Sequence, residues 1–233
     1  MYLEYLVYVK STLTMSEVKI RPYKPEDYLK CREMFTDGMK ELSTPFMKIV
    51  FPKCFKMAGI LLMVVAAVSM NTIWLPWIIV FNLITCVILT ALLYIYIYLL
   101  IMNYIDGSLN ADLLEIAEFY KGESCMWIAE YNGRVLGMVG LAKREYHKPG
   151  VAELQRLFAS TSVRGKGIGT LLVKNVLQFC KEQNYNKLIL KTSCAQYAAI
   201  SLYKKCGFKH VRNDPYPGLS YSGLYILSFE IDL

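Results

Sequence analysis

Arg164-Gly165-Lys166-Gly167-Ile168-Gly169 joins a basic head to three glycines at alternate positions, and from Thr170 the chain continues as Leu171-Leu172-Val173-Lys174-Asn175-Val176-Leu177. Glycines at 165, 167 and 169 let the backbone curl so that its N–H groups converge. The helix predicted from Thr170 onward turns its positive dipole end to the same spot. Such a turn is built to hold a pyrophosphate; the other reading is an ordinary strand-to-helix turn. It is not a Walker loop, because no Gly-Lys-Ser/Thr stands at the required place. Nor is it a dinucleotide fingerprint, because Arg164 occupies the position of that pattern's first glycine.

The elements that must position this loop are legible around it. Glu153-Leu154-Gln155-Arg156-Leu157-Phe158-Ala159 reads as a strand with Leu154 and Leu157 buried, followed by the short polar loop 160–163. A helix to Gln183, a strand Lys187–Thr192, a helix Ala195–Cys206 closed by Gly207, and strands Phe208–Arg212 and Leu224–Ile231 follow. Upstream, Val18 to Pro22 reads as a strand, and Pro25-Glu26-Asp27 opens a helix to about Met39. A further helix is predicted from Asn110 to Tyr120. Strands Cys125–Tyr131 and Arg134–Lys143 are joined by Asn132-Gly133, the pair a two-residue hairpin turn requires.

The order of strand, Arg-x-x-Gly-x-Gly-type loop and helix, followed by Leu202-Tyr203-Lys204-Lys205-Cys206-Gly207-Phe208, resembles the GNAT superfamily of acetyl-CoA-dependent N-acetyltransferases. The resemblance covers residues 17–39 and 111–233. With the hydrophobic insert, Cys125-Met126-Trp127-Ile128-Ala129-Glu130 and Gly137-Met138-Val139-Gly140, the chain is similar to the camello-type, membrane-bound group. The implied fold is α/β, a GNAT mixed β-sheet flanked by helices and interrupted near the N-terminus by a two-helix transmembrane hairpin. The implied co-substrate is acetyl-CoA, and no metal is implied.

That resemblance also assigns roles. Backbone groups of Leu157, Phe158 and Ala159 would pair with the pantetheine arm and supply an oxyanion N–H. Arg164, Gly165, Lys166, Gly167, Ile168, Gly169 and Thr170 would hold the pyrophosphate. Tyr203, a phenol with a reference pKa near 10, would protonate the departing thiolate; the other reading is a helix tyrosine packed on the sheet. Glu153, on the strand that leads to the site, is the candidate base for the acceptor ammonium, unless it is a solvent-facing strand residue. Gln196 stands where many relatives carry asparagine and Thr161 where proline is common, which leaves the Gln196 cofactor contact open.

Composition sets limits on the rest. The 233 residues carry a net charge of +7, with lysines and arginines scattered rather than striped, so nucleic acid is not an expected partner. Seven cysteines, at 31, 54, 86, 125, 180, 194 and 206, show no paired metal-ligand spacing and read as buried thiols in a reducing compartment. His147 and His210 are too few for a zinc site. Residues 1–15 read as an extension that is not a signal peptide, and Met15 is an alternative start.

From Met57 to Trp74 and from Ile78 to Met102 the chain is uncharged. The two segments span about 27 and 37 Å as helices, enough for a hydrocarbon layer of about 30 Å. Segments 16–56 and 103–233 would form one catalytic domain around the hairpin 57–102, since strand and helix before the insert must pack on the sheet after it. Both flanks then lie on one side. Lys40, Lys48, Lys53 and Lys56 precede the insert and its central link has no basic residue, which puts the enzyme in the cytosol; a lumenal site is the alternative. Resemblance favours the endoplasmic reticulum membrane, with the Golgi next.

The expected acceptor is a primary amine, either a small amphiphilic conjugate such as a cysteine S-conjugate or a protein lysine, attacking directly in a ternary complex. The aromatic loop 214–221 is expected to cover an apolar tail on it. A silent GNAT-fold protein or an aspartate N-acetyltransferase are the alternatives; no arginine cluster for two carboxylates is evident.

Overall fold

A computed structural model describes residues 17–69 and 75–233. The N-terminal extension, Met15 and most of the uncharged link lie outside the described residues. Among the described residues, seven strands form one mixed sheet in the order β1-β2-β3-β4-β5-β7-β6. These are β1 (Lys19–Pro22), β2 (Cys125–Tyr131), β3 (Arg134–Ala142), β4 (Val151–Ala159), β5 (Lys187–Ser193), β6 (Lys209–Pro215) and β7 (Tyr225–Asp232). Only β4 and β5 run parallel. Asn132 and Gly133, at φ 48° and 72°, make the predicted turn.

Two apolar layers sandwich the sheet. One face packs against α5 (Ile168–Glu182) and α6 (Tyr197–Lys205), where Leu172, Val173 and Val176 meet Val139, Leu141, Ala152 and Leu154. The other face, with Met126, Ile128 and Met138, packs against α1 (Tyr28–Lys40) and the near ends of two long helices, α2 (Ser43–Ser69) and α3 (Leu75–Leu109). The long helices thus belong to the domain at one end only. Ile97, Ile101 and Ile105 are spaced one helical turn apart and are all at most 1 % exposed, as are Phe46 and Val50 on α2. Farther along, Phe81, Leu83, Val87 and Leu89 stand more than half exposed. The stretch Ile79–Leu109 is long and apolar enough to cross a membrane.

The insert differs from the predicted segments at its outer ends. Helix α2 begins at Ser43 and takes in Lys48, Lys53 and Lys56, and α3 continues to Leu109. Both extensions follow from the buried stripes just named, because tertiary packing extends a helix beyond its uncharged run. The helix expected over 110–120 is a correction. Residues 110–115 form turns, and only α4 (Ile116–Phe119) is helical. Arg32 Nη1 donates to the carbonyls of Leu109 and Leu113, at 2.7 and 2.5 Å, closing the helix end, and the turn lets Asp112 point inward, 3 % exposed.

The two glycines of the Gly137-Met138-Val139-Gly140 stretch face opposite layers. A Cβ on Gly137 would lie 2.9 Å from the Phe158 carbonyl oxygen and 3.0 Å from Leu172; one on Gly140 would meet the Tyr120 ring at 2.6 Å. Gly137→Val is therefore expected to cost about 1–3 kcal/mol by overpacking, measurable as a lower denaturation midpoint. Cys31 and Cys180 are buried, and burial pushes both thiols up to about 12, as inert packing thiols require. Cys125, Cys194 and Cys206 are only half-buried.

Candidate active site

The site begins where the parallel pair separates. β4 and β5 are in register from Val151 opposite Lys187 to Leu154 opposite Leu190, and no further, although β4 continues to Ala159 and β5 to Ser193. Leu157, Phe158 and Ala159 keep β3 on one edge, through Met138–Phe158 and Gly137–Ala159, and turn the other edge to the opening. An extended acyl arm can add to that edge as a strand would.

A bulge shapes the upper part of β4. Pairing with β3 shifts between Met138 and Gly140, and Arg156 takes φ 55°, a value that non-glycine residues seldom adopt. Strict alternation would put Gln155 and Arg156 on opposite faces. With the bulge both reach the α1 side, and Leu157 joins Leu154 on the α5 side. This explains how Leu154 and Leu157, three apart, share a layer. Leu157 is half-buried rather than buried.

The sequence reading missed the network this bulge creates. Arg156 Nε and Nη2 donate to the two oxygens of Asp112 at 2.8 and 2.5 Å, its Nη1 reaches Tyr104 Oη at 3.3 Å, and its guanidinium lies 4.7 Å from the Phe35 ring centre. Tyr120 Oη donates to Asp112 at 2.9 Å and accepts from Gln155 Nε2 at 2.7 Å. Burial opposes the charge of Arg156, but the Asp112 carboxylate outweighs it and raises the guanidinium pKa above its ordinary value. Burial and then Asp112 likewise hold the Tyr120 phenol protonated. A signal was available: an arginine flanked by Leu154, Leu157 and Phe158 in a central strand needs a partner for its charge.

The turn expected to take the pyrophosphate folds as Gly165 and Gly167 require. Gly165 and Gly167 have φ of 78° and 87°, and Leu171 N–H donates to Gly167 O at 3.0 Å, so Ile168, Gly169 and Thr170 present their N–H groups ahead of the first intrahelical bond. Helix α5 starts at Ile168, two residues earlier than expected. Gly169 is a correction: it lies inside the helix and does not shape the turn. A Cβ there would stand 2.7 Å from Leu202 Cδ1, so its smallness serves the approach of α6. Arg164 at the head of the turn pairs with Glu41 Oε2 at 2.5 Å.

A cavity of about 530 Å³ opens between the diverging strands and the base of α3. Glu153, Leu157, Phe158, Gln196 and Tyr203 line it from the sheet side, and Met39, Phe46, Leu100, Asn103 and Tyr104 from the helices. Tyr203 is buried against Phe208 and Phe229, at ring distances of 5.8 and 6.2 Å. Burial, with Cys206 adding, raises its phenol well above the usual value. It is a protonated donor at neutral pH. Gln196 spends its side-chain carbonyl locally, accepting from Thr192 Oγ1 at 2.7 Å and Ser193 N–H at 3.2 Å, just before α6. Of the aromatic loop, Tyr216 lines the cavity and meets Phe46 edge-on at 5.2 Å, whereas Tyr221 is 99 % exposed. Lys191 brings a cation to the same wall as Arg156. Among the described residues, no group of His, Cys, Asp and Glu is placed to hold a metal ion.

Comparison with known proteins agrees with this geometry. Residues 96–208 match the Acetyltransferase (GNAT) family model. N-acetylaspartate synthetase of Xenopus tropicalis is 29 % identical over 94 % of this chain and 80 % of its own length, and that of Homo sapiens is 31 % identical over 92 % and 70 %. N-acetyltransferase 8F1 of Mus musculus is 31 % identical over 82 % and 85 %. A GNAT acetyltransferase crystal structure from Staphylococcus aureus superposes with a TM-score of 0.56 over 93 % of this chain and 99 % of its own, at 17 % identity, a likeness of fold. The chain belongs to the GNAT acetyltransferases, beside the N-acetylaspartate synthetases and the N-acetyltransferase 8 group, and is an acetyl-CoA-dependent N-acetyltransferase.

Proposed function

We propose that the enzyme is anchored in a membrane by α2 and α3 and acetylates the amine of a small amino acid that keeps a free carboxylate. The observation that carries this reading is the cavity itself. It is closed on one side by α1, α2 and α3, and Arg156 and Lys191 stand among Met39, Leu42, Phe46 and Leu100. A carboxylate suits Lys191, since Arg156 is already paired with Asp112, and the helical wall leaves little room for a peptide chain on either side of a lysine. Relatives named for aspartate acetylation point the same way. The apolar wall also accommodates a cysteine S-conjugate, which carries the same carboxylate beside an apolar tail.

The residues divide the work as follows. The turn at Gly165 and Gly167 and the start of α5 take the pyrophosphate, and the free edge of β4 takes the pantetheine arm. Glu153 accepts the proton of the acceptor ammonium, and the neutral amine attacks the thioester carbonyl, whose oxygen is stabilised by β4 backbone N–H. Tyr203 gives its proton to the departing thiolate. The catalytic domain faces the cytosol of an endoplasmic reticulum or Golgi membrane, a placement supported by Lys40, Lys48, Lys53 and Lys56 ahead of the apolar run.

The deciding test is CoA release by the detergent-purified protein with aspartate, S-benzylcysteine and a lysine peptide. Turnover is expected with an amino acid and not with the peptide, and Gly167→Glu, which puts a side chain and a negative charge into a turn at φ 87°, is expected to abolish acetyl-CoA binding. Turnover confined to the lysine peptide would remove the amino-acid reading.

A further inference from the structure

Behind Glu153 lies a histidine that the mechanism has not used. The loop between β3 and β4 folds back so that His147 is buried, its side chain 4 % exposed, with Nε2 3.5 Å from Glu153 Oε2; Glu153 is itself 16 % exposed. The backbone N–H of Arg144 donates to His147 Nδ1 at 3.2 Å. That bond makes Nδ1 the acceptor, so the neutral ring carries its proton on Nε2, the nitrogen aimed at the carboxylate. Nε2 has no hydrogen-bond partner among the described residues and faces the Glu153 carboxylate at 3.5 Å.

The loop is braced to hold the ring there. Lys143 Nζ donates to the carbonyls of Lys148 and Val151 at 3.0 and 3.1 Å, Lys143 N–H donates to Ser124 Oγ at 3.0 Å, and Tyr146 flanks the imidazole edge-on at 4.6 Å. The charged groups facing the ring are Glu153 from β4 and Lys143 and Arg144 from its own loop. Burial first, with the two cations, lowers the imidazole pKa, and Glu153 pulls the other way, so the ring is neutral at pH 7. A second cavity of about 670 Å³, walled by Glu123, Glu145 and Tyr185 among others, lies on the far side of His147. Glu153 borders the acetyl-transfer cavity and His147 the second one, so the pair sits at the partition between them.

We propose that His147 is a positioning residue, whose Nε2–H aims the ionised Glu153 carboxylate at the acceptor ammonium. This rests on the assignment of Glu153 as base. The ammonium proton passes to Glu153, and the imidazole keeps its own proton throughout, so no further group is needed. Without the donor the carboxylate is free to rotate away from the acceptor ammonium.

The test is steady-state kinetics on the full chain in detergent, with acetyl-CoA and each amino-acid acceptor. Glu153→Gln is expected to lose about 10²-fold or more in kcat. His147→Leu, which fills the space without a donor, should lose about tenfold in kcat with the KM for acetyl-CoA unchanged. His147→Gln places an N–H at the position of Nε2 and should recover kcat to within about threefold. His147→Asn, too short to reach, should behave like the leucine variant and replaces it if that protein does not fold.

An active Glu153→Gln enzyme would remove the base assignment. An inactive Glu153→Gln enzyme beside His147→Leu with wild-type rate would keep the base and overturn the role of His147. A glutamine variant as slow as the leucine variant would also overturn positioning by N–H donation.

Discussion

Arg156→Met is expected to lower the stability of the domain by about 3–5 kcal/mol and to remove turnover. The cause lies in what stays behind: Asp112 is 3 % exposed and receives two of its hydrogen bonds from this guanidinium. With a methionine opposite, the carboxylate keeps only the Tyr120 hydroxyl and must take up a proton or draw in water. Turnover fails for a second reason. Arg156 sits at φ 55° in the bulge that turns Gln155 and Arg156 toward one layer, and the Asp112 bridge is what holds it there. Without the bridge, β4 is free to return to regular pairing, which would move Leu157, Phe158 and Ala159 relative to β5. Thermal unfolding should show a midpoint about 10 °C lower. Arg156→Met combined with Asp112→Leu should recover most of the stability and none of the activity, because the apolar pair removes the stranded charge and leaves the bulge unsupported. A double variant with restored turnover would show that the bridge serves stability alone.

Tyr203→Phe is expected to cut kcat by about 10²- to 10³-fold, about 3–4 kcal/mol of transition-state stabilisation, with the KM for acetyl-CoA nearly unchanged. The substitution deletes one oxygen. The ring keeps its contacts with Phe208 and Phe229, so stability should move by less than about 1 kcal/mol. A pH consequence follows from burial, which raises the phenol above its ordinary value of about 10. A raised pKa keeps the donor form present to higher pH, so the alkaline limb of the wild-type kcat profile should stay flat to about pH 10 as far as Tyr203 sets it. An unchanged kcat would return Tyr203 to the role of a packing residue on the sheet.

Much of the backbone around the candidate site could be read from neighbouring residues because the interactions concerned are local. Gly165 and Gly167 announce positive φ and Asn132-Gly133 announces its hairpin, both through backbone conformation within a few positions, whereas the role of Tyr203 is implied only by the family resemblance of residues 202–208. The same pattern misassigned Gly169, because whether a glycine serves a turn or a close approach depends on what stands opposite. Here that is Leu202, thirty-three positions away.

By itself, the chain's sequence determined the order of strands and helices, the glycine turn at Gly165 and Gly167 and the apolar insert, all consequences of hydrophobic period and local backbone chemistry. Only the tertiary structure decided that the insert's inner turns are part of the catalytic domain, with Ile97, Ile101 and Ile105 in its core and Leu100 and Tyr104 on the cavity wall. It alone joined Arg156 to Asp112 and His147 to Glu153. The physical reason is that a buried charge must find its partner in space. Asp112 is forty-four positions from Arg156, and the bulge that aims the arginine depends on the register of β3 against β4, which no spacing within β4 can express.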